Sequence, residues 1–188
     1  MSTLGTRIRR VTRDPMPCGY SWSTYQGQVR QLLHGVKTTG SVQVARRLAA
    51  LALPDLATCE QVFQKARVLV PAPSSKRANR IRGFSPAAVF AKALVRRAGL
   101  LGLILIVQHP LRFERLTQNQ KRLNKLDRQA NLAGSMVAVA PPAGSSFGTA
   151  VVLVDDVVTT GATLAECSRA LSQAGWQPLS FVTFAETL

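Results

Sequence analysis

The sequence predicts an α/β fold, in which a parallel sheet carries helices on both faces and follows an N-terminal helical segment. Short apolar runs such as RVLV (67–70) and AVVLV (150–154) alternate with segments of helical periodicity. Each run is continuously apolar, which is typical of strands buried on both faces. The chain has 188 residues, 46% of them hydrophobic, which is enough for one hydrophobic core.

The first half of the chain contains three predicted helices and two predicted strands. Helical periodicity covers 26–37 and 42–53, separated by Gly40. The run 67–70 is the first predicted strand, closed by prolines. Ser85 and Pro86 are typical of an N-cap and first helical position, so a helix is predicted up to Gly99. A second buried strand is predicted at 103–107.

The second half begins with a basic stretch, 109–130, which is predicted to be either a solvated helix or a mobile loop. A third strand is predicted near 132–140 and a fourth at 150–154, followed by a helix that ends at Gly175. A last strand is predicted at 179–184. Ligands of such sheets bind beyond the carboxyl ends of the strands, where the loops after 70 and 154 lie.

The N-terminal residues 1–24 carry arginines and prolines without periodicity, and we expect a mobile basic arm followed by one domain over 25–188. The start lacks the apolar core of a signal peptide, and the apolar stretch 100–107 is too short to span a bilayer. The three cysteines are widely spaced and form no CxxC pair, so neither a disulfide framework nor a zinc site is expected. Cysteines without disulfide partners suit a reducing compartment, and we expect a cytoplasmic protein.

The net charge of +15 arises from 24 Lys and Arg against nine Asp and Glu, and it favours polyanionic partners such as phosphorylated molecules or nucleic acid. Ten of the basic residues lie within 76–82 and 109–130. That concentration favours an anion site over a uniformly basic surface. The alternative is a basic protein from a lineage that favours arginine.

The stretch VVLVDDVVTTGATL (151–164) combines a buried strand, two adjacent carboxylates, three threonines and a glycine. Consecutive amides at the start of the following helix form a site for phosphate, and Gly161 permits close approach of the backbone. Asp155 and Asp156 would repel a bare phosphate but suit a vicinal diol or a divalent metal held through water. A ligand with both features is a phosphorylated ribose.

Other proteins with acids after a strand fit less well. A nucleoside triphosphatase needs a GxxxxGK[ST] loop, and the dipeptide GK is absent here. A phospho-receiver domain carries its acid pair near its start, whereas only 32 residues follow Asp156. A dinucleotide fold is disfavoured because no two glycines lie two apart. An ordinary loop without a ligand stays as the remaining alternative.

The motif VVLVDDVVTTGAT resembles the PRPP-binding loop of type I phosphoribosyltransferases. The segments YQGQVRQLLHGVKTTG, VPAPSSKRANRIRGF and ERLTQNQKRLNKLDRQANLAGSM resemble successive blocks of the ComF family (ComF/GntX-like), so the resemblance covers about residues 25–185. It implies a phosphoribosyltransferase fold with a small hood and a role in DNA uptake. Enzymes of this superfamily are often dimers, which implies a homodimer.

The resemblance also implies roles for individual residues. Asp155 and Asp156 would bind the ribose hydroxyls and, indirectly, Mg²⁺. The 5′-phosphate would be bound by Thr159, Thr160, Gly161, Ala162 and Thr163. The pyrophosphate with its Mg²⁺ would lie on Ala72, Pro73, Ser74, Ser75 and Lys76, and the stretch 112–128 would close over it. Phosphate or pyrophosphate contacts are expected from Arg80, Arg82, Arg115 and Arg122.

The implied function is transfer of phosphoribosyl from PRPP to an unknown acceptor, linked to DNA uptake. The alternative is an adaptor or nucleotide sensor without turnover that binds single-stranded DNA or DNA-uptake proteins. Two departures from the family pattern stand out. The cysteine-rich zinc-binding segment is absent, and the usual GFNQ reads GFSP at 83–86, which replaces two amides near the pyrophosphate side.

Overall fold

The computed structural model describes residues 9–11, 18–39, 41–51, 60–74, 80–114 and 132–187. The elements in chain order are β1 (Arg9–Val11), β2 (Gly19–Thr24), α1 (Gly27–Thr39), α2 (Val42–Leu51), α3 (Glu60–Lys65), β3 (Val68–Pro71), α4 (Pro86–Leu100), β4 (Ile106–Val107), β5 (Leu111–Phe113), β6 (Met136–Ala138), β7 (Ala150–Val158), α5 (Ala162–Gln173) and β8 (Gln177–Glu186). No helix in these ranges is both long and apolar enough to cross a membrane.

The main sheet has the strand order β1-β2-β8-β7-β3-β4. The five strands from β2 to β4 run parallel, and β1 pairs antiparallel with β2 at one edge. The strands β5 and β6 form a separate antiparallel pair. The predicted α/β class with a parallel sheet is confirmed.

Two hydrophobic clusters cover the two faces of the sheet. On one face, Leu33 of α1 and Phe90 of α4 pack against Trp22 and against Val152 and Val154 of β7. On the other face, Leu164 and Leu171 of α5 pack against the odd-numbered residues Val151 and Leu153. Helices on both faces explain why the central strands are continuously apolar in sequence.

The N-terminal part differs from the predicted arm. Within 1–24 the structure describes 9–11 and 18–24, and both ranges contain strands; the rest of the predicted arm lies outside the described residues. The β2 strand was missed because its sequence, GYSWST, is largely polar. Its Ser23 hydroxyl donates to the carbonyl of Phe184 in β8 at 2.9 Å, so this polar residue is satisfied inside the sheet.

Close contact with β8 also explains the glycine that begins β2. A Cβ added at Gly19 would lie 2.5 Å from the ring of Phe181, so only glycine fits there without a shift. Three residues further on, Trp22 is fully buried and meets Phe90 edge to face at 5.3 Å. The strand is therefore fixed by tertiary contacts rather than by its own apolar pattern.

The middle of the chain differs in detail from the prediction. The strand predicted at 103–107 is reduced to β4, and the strand predicted near 132–140 is the three-residue β6. The beginning of the basic stretch, predicted as helix or loop, contains β5. Leu111 and Met136 bury this hairpin against the face covered by α5. Three-residue strands are too short to give a periodic signal.

A buried ion pair joins α5 to the start of β6. The Glu166 side chain is only 4% exposed, and it accepts hydrogen bonds from Arg169 Nε at 2.7 Å and from the Met136 N–H at 2.9 Å. Arg169 also donates to the Met136 carbonyl at 2.8 Å. Burial alone would raise the pKa of Glu166, but these hydrogen bonds outweigh it and lower the pKa from its ordinary value of 4.5.

We expect Glu166→Gln to lower the free energy of unfolding by about 2 kcal/mol at pH 7, because it removes charge-assisted hydrogen bonds from a buried position. The folded-state pKa is lowered, so the stabilisation is complete above pH 4.5 and is lost as pH falls through the folded value. Urea unfolding at pH 7 and at acidic pH measures both effects. The exposed Glu114→Gln serves as the control, and an equal loss at both pH values would contradict the assignment.

Candidate functional site

The strand β7 continues past the end of its neighbour β3. The last residue of β3, Pro71, lies opposite Val154, whereas the pairing of β7 with β8 continues through Asp155 to Val158. Asp155 and Asp156 therefore lie within the strand, not in a loop after it as predicted. One side of this segment is held by β8 and the other is open at the carboxyl edge of the sheet. This position exposes the acid pair to the place where ligands of such sheets bind.

Asp155 lies beside the predicted phosphate loop. A small cavity of about 60 Å³ is lined by Asp155, by the loop residues and by Leu132 on the far side. The loop residues in its wall are Thr159, Thr160, Gly161, Ala162 and Thr163. The structure thus brings together one predicted carboxylate and the whole predicted phosphate loop.

The shape of that loop depends on Gly161. It precedes α5 as the N-cap residue with a φ of +83°, a left-handed conformation that side chains rarely adopt. The helix then begins at Ala162, whose N–H is directed towards the Thr160 hydroxyl at 3.4 Å. The three threonines and the first residues of α5 line the small cavity, and a helix start beside hydroxyl groups is an arrangement that suits a phosphate group.

Asp156 lies next to the last turn of α1. Its Oδ2 forms an ion pair with Nζ of Lys37 at 2.8 Å, and its Oδ1 accepts the N–H of Val157 at 2.9 Å. Lys37 lies in the last turn of α1, beside the buried Val36. The positive partner that two adjacent acids require thus comes from the N-terminal helix.

The electrostatics of the pair follow from these contacts. Burial, together with the neighbouring charge of Asp156, raises the pKa of Asp155 well above its ordinary value of 3.8. For Lys37, burial alone would lower the pKa, but its attraction to Asp156 and, more weakly, to Asp155 outweighs burial and raises it. The site therefore combines one carboxyl group whose pKa is raised, Asp155, with the ion pair between Asp156 and Lys37.

A larger cavity of about 770 Å³ lies between the loop after β3, the start of α4 and the β5/β6 hairpin. Three of the predicted pyrophosphate residues line it, namely Ala72, Pro73 and Ser74. The hairpin side contributes His109, Arg112, Phe113, Glu114 and Val137. The Ala72 N–H donates to the Val154 carbonyl at 2.8 Å, which fixes this loop next to the acid pair.

The predicted cap of α4 is also present at this cavity. The Ser85 hydroxyl accepts the Ala88 N–H at 3.4 Å, and it receives a hydrogen bond from the Ser74 hydroxyl at 3.4 Å. Pro86 takes the first helical position, where it has no N–H to offer. The GFSP sequence thus uses its polar groups for capping.

The other predicted phosphate contacts are placed differently or not described. Arg80 is exposed and Arg82 half-buried just before α4, and neither lines the two cavities. In the described part of the chain, Nε of Arg82 is buried without a hydrogen-bond partner. Ser75, Lys76, Arg115 and Arg122 lie outside the described residues, as does most of the stretch 112–128.

The residues at the acid pair suit a metal ion only as part of a ligand complex. Within the described ranges no group of three or more His, Cys, Asp or Glu side chains is placed to hold a metal. Carboxylate oxygens suit Mg²⁺, but both oxygens of Asp156 already have partners in the chain. This donor set fits a Mg²⁺ held mainly by phosphates of a ligand and reaching the acids through water.

Sequence reasoning missed Lys37, His109, Phe113 and Glu114. The position of Lys37 at the end of an amphipathic helix carried no signal that it would reach Asp156. The cavity residues of β5 lie in the basic stretch 109–130, where the sequence indicated a charge but no roles for these residues. Partial burial of the His109 ring, followed by repulsion from Lys92, lowers the pKa of His109. Only the pairing of the strands reveals which side chains of this stretch face the cavity.

Comparison with known proteins gives one curated relative. Competence protein ComFC of Bacillus subtilis (strain 168) is 28% identical over 153 residues, which is 81% of this chain and 57% of ComFC. The chain is a distant homologue of ComFC. It spans less than two thirds of the length of that relative. No protein-family model matches the sequence.

Among solved structures, the allosteric regulatory enzyme of purine biosynthesis overlaps 73% of this chain and 24% of its own, with 18% identity and a TM-score of 0.36. An overlap this loose supports no further comparison. The sequence resemblance to the ComF family is confirmed as distant homology to ComFC.

We expect Asp155→Asn to stabilise the protein without ligand at pH 7. Because the pKa is raised in the folded state, ionising Asp155 there costs free energy, and this cost grows as pH rises above 3.8 and is absent below it. The midpoint of thermal unfolding should rise by about 2 °C or more, the shift that about 1 kcal/mol gives at this size.

The matched variant is Asp156→Asn, which relieves the same repulsion but also removes the partner of Lys37. It should stabilise less than Asp155→Asn. A thermal midpoint for Asp155→Asn at or below that of the unaltered protein would contradict the raised pKa.

Proposed function

We propose that this ComF-like protein binds a phosphorylated ribose, PRPP or a nucleotide, together with Mg²⁺, and that it transfers phosphoribosyl from PRPP to an acceptor nucleophile in the handling of imported DNA. The distant homology to ComFC supports the family and the link to competence. The residues that line the small cavity support the ligand class.

The observation that carries the proposal is that Asp155 and the loop 159–163 line one cavity at the carboxyl edge of β7. Helix-terminal amides and hydroxyls suit a dianionic phosphate, whereas a carboxylate a few residues away suits hydroxyl groups. A single ligand must therefore present a phosphate next to a diol. Ribose 5-phosphate is the simplest group that does so.

The chain's part in the transfer would be positioning and charge arrangement. The loop 159–163 holds the 5′-phosphate, and Asp155 accepts hydrogen bonds from ribose hydroxyls, which fixes C1 of the ring towards the larger cavity. The bond between C1 and the pyrophosphate oxygen breaks, and pyrophosphate leaves with the electron pair. The acceptor then bonds to C1 with its lone pair and loses a proton to solvent.

The larger cavity would receive the departing pyrophosphate and the acceptor. Ser74 and Arg112 contribute a hydroxyl and a guanidinium to its wall, which suit phosphate oxygens. The negative charge that develops on the pyrophosphate would be neutralised by Mg²⁺ bound to it. Phe113 and Val137 supply an apolar side wall, which is where a flat acceptor would fit.

We expect Ala162→Glu to abolish binding of Mg-PRPP without lowering stability. The added carboxylate lies in the first turn of α5, where it repels a bound phosphate but interacts favourably with the helix dipole. Isothermal titration with Mg-PRPP and thermal unfolding measure the two effects. The matched control is Ser172→Glu, which adds the same charge at an exposed position near the end of the same helix.

The proposal requires that the unaltered protein bind Mg-PRPP and that Ser172→Glu keep this binding. Absence of any heat with Mg-PRPP on folded protein would contradict it. Release of pyrophosphate in a screen of candidate acceptors would establish turnover. If Mg-PRPP binds but no acceptor leads to release of pyrophosphate, the protein is a sensor and not a transferase.

The excess of positive charge favours a second candidate, an adaptor that binds single-stranded DNA. The net charge of +15 exceeds what one phosphorylated sugar requires. We expect the affinity for an oligonucleotide to fall steeply with salt, with a slope of about −0.7 in log–log units for each phosphate contacted. Fluorescence anisotropy over a salt series measures this slope, and a flat response would exclude the adaptor.

A further inference from the structure

Lys37 forms an ion pair that the proposed binding of ribose phosphate does not require. Its Nζ lies 2.8 Å from Oδ2 of Asp156, and the two side chains are 36% and 16% exposed. This ion pair is sheltered and has a single donor and acceptor at hydrogen-bonding distance. It is therefore a defined feature of the site rather than a loose contact of two surface charges.

The helix that carries Lys37 is fixed in place. Val29, Leu33 and Val36 of α1 are buried in the core, and Val36 is only 1% exposed. In the last turn the Thr38 hydroxyl donates to the carbonyl of His34 at 3.0 Å. The backbone of Lys37 thus cannot move away from β7 without disrupting the core, although its side chain can rotate.

The ion pair limits where a divalent cation can bind. A metal on Oδ2 of Asp156 would stand next to an ammonium group already 2.8 Å from that oxygen, and the two cations would repel each other. The other oxygen, Oδ1, is held by the Val157 N–H. Carboxylate oxygens keep further lone pairs, so a neutral hydroxyl can still donate to Asp156.

We propose that Lys37 is the built-in counter-ion of the ribose site: by neutralising Asp156 it allows the acid pair to bind a ribose 5-phosphate ligand without a divalent cation. The inference rests on the proposed function, and it separates ligands that bind without Mg²⁺ from those that require it. The sugar and its 5′-phosphate bind without metal, and only a ligand that carries pyrophosphate requires Mg²⁺. Lys37 is a positioning residue, because it acts on the ligand through Asp156.

The test compares ribose 5-phosphate binding in EDTA and in excess Mg²⁺ by isothermal titration, on the full chain. The unaltered protein should bind with the same affinity, within about twofold, in both buffers. Lys37→Met should bind at least about tenfold more weakly in EDTA, because Asp156 is then left without its partner, and Mg²⁺ should restore part of the loss. Lys37→Arg should retain binding without metal.

Lys65→Met is the matched control, since Lys65 is also a lysine in the last turn of a helix but is exposed. It should behave as the unaltered protein. If ribose 5-phosphate requires Mg²⁺ in the unaltered protein, or if Lys37→Met binds equally well in EDTA, the inference is wrong. Binding of Mg-PRPP in the same preparation then shows that the proposed function survives. If neither ribose 5-phosphate nor Mg-PRPP binds, the inference and the proposed function are both wrong.

Discussion

Two adjacent carboxylates in a sheltered strand repel each other, and the candidate site is arranged around that repulsion. The pairing of β7 with β8 continues through this segment, and the side chains of Asp155 and Asp156 stay close enough to interact directly. Asp156 there meets Lys37, and Asp155 meets the phosphate loop. Burial, followed by the charge of Asp156, raises the pKa of Asp155, although Lys37 acts in the opposite direction.

Different partners give each acid a different chemical task. Asp155 shares a wall with helix-terminal amides, so a ligand there must place a phosphate and hydroxyls within one small cavity. Asp156 is neutralised by a lysine whose helix is fixed by the core, so its charge does not have to be balanced by the ligand. The core packing of α1 thus fixes the position of Lys37, the side chain that pairs with Asp156.

Local signals in the sequence were enough for the central part of the fold. The apolar runs predicted β3 and β7, and the Ser85–Pro86 pair predicted the start of α4. A helix cap and a buried strand can be predicted because each depends on a few neighbouring residues. The strand β2 was missed, since its Ser23 hydroxyl is satisfied by the carbonyl of Phe184, in a strand far along the chain. The hairpin of β5 and β6 was missed because its strands are short and pair only across a long connection.

Local and distant contacts also differ in which residues of the site could be predicted from the sequence. Asp155 and the loop 159–163 are neighbours in sequence, so their common cavity follows from a strand, a glycine and a helix start. Lys37 is more than a hundred residues from Asp156, and only the packing of α1 on the sheet makes it a partner. Charge alone could not select it from 24 basic residues. What makes Lys37 the partner is its place in the last turn of a helix that the core fixes, because this brings its Nζ to 2.8 Å from Oδ2 of Asp156.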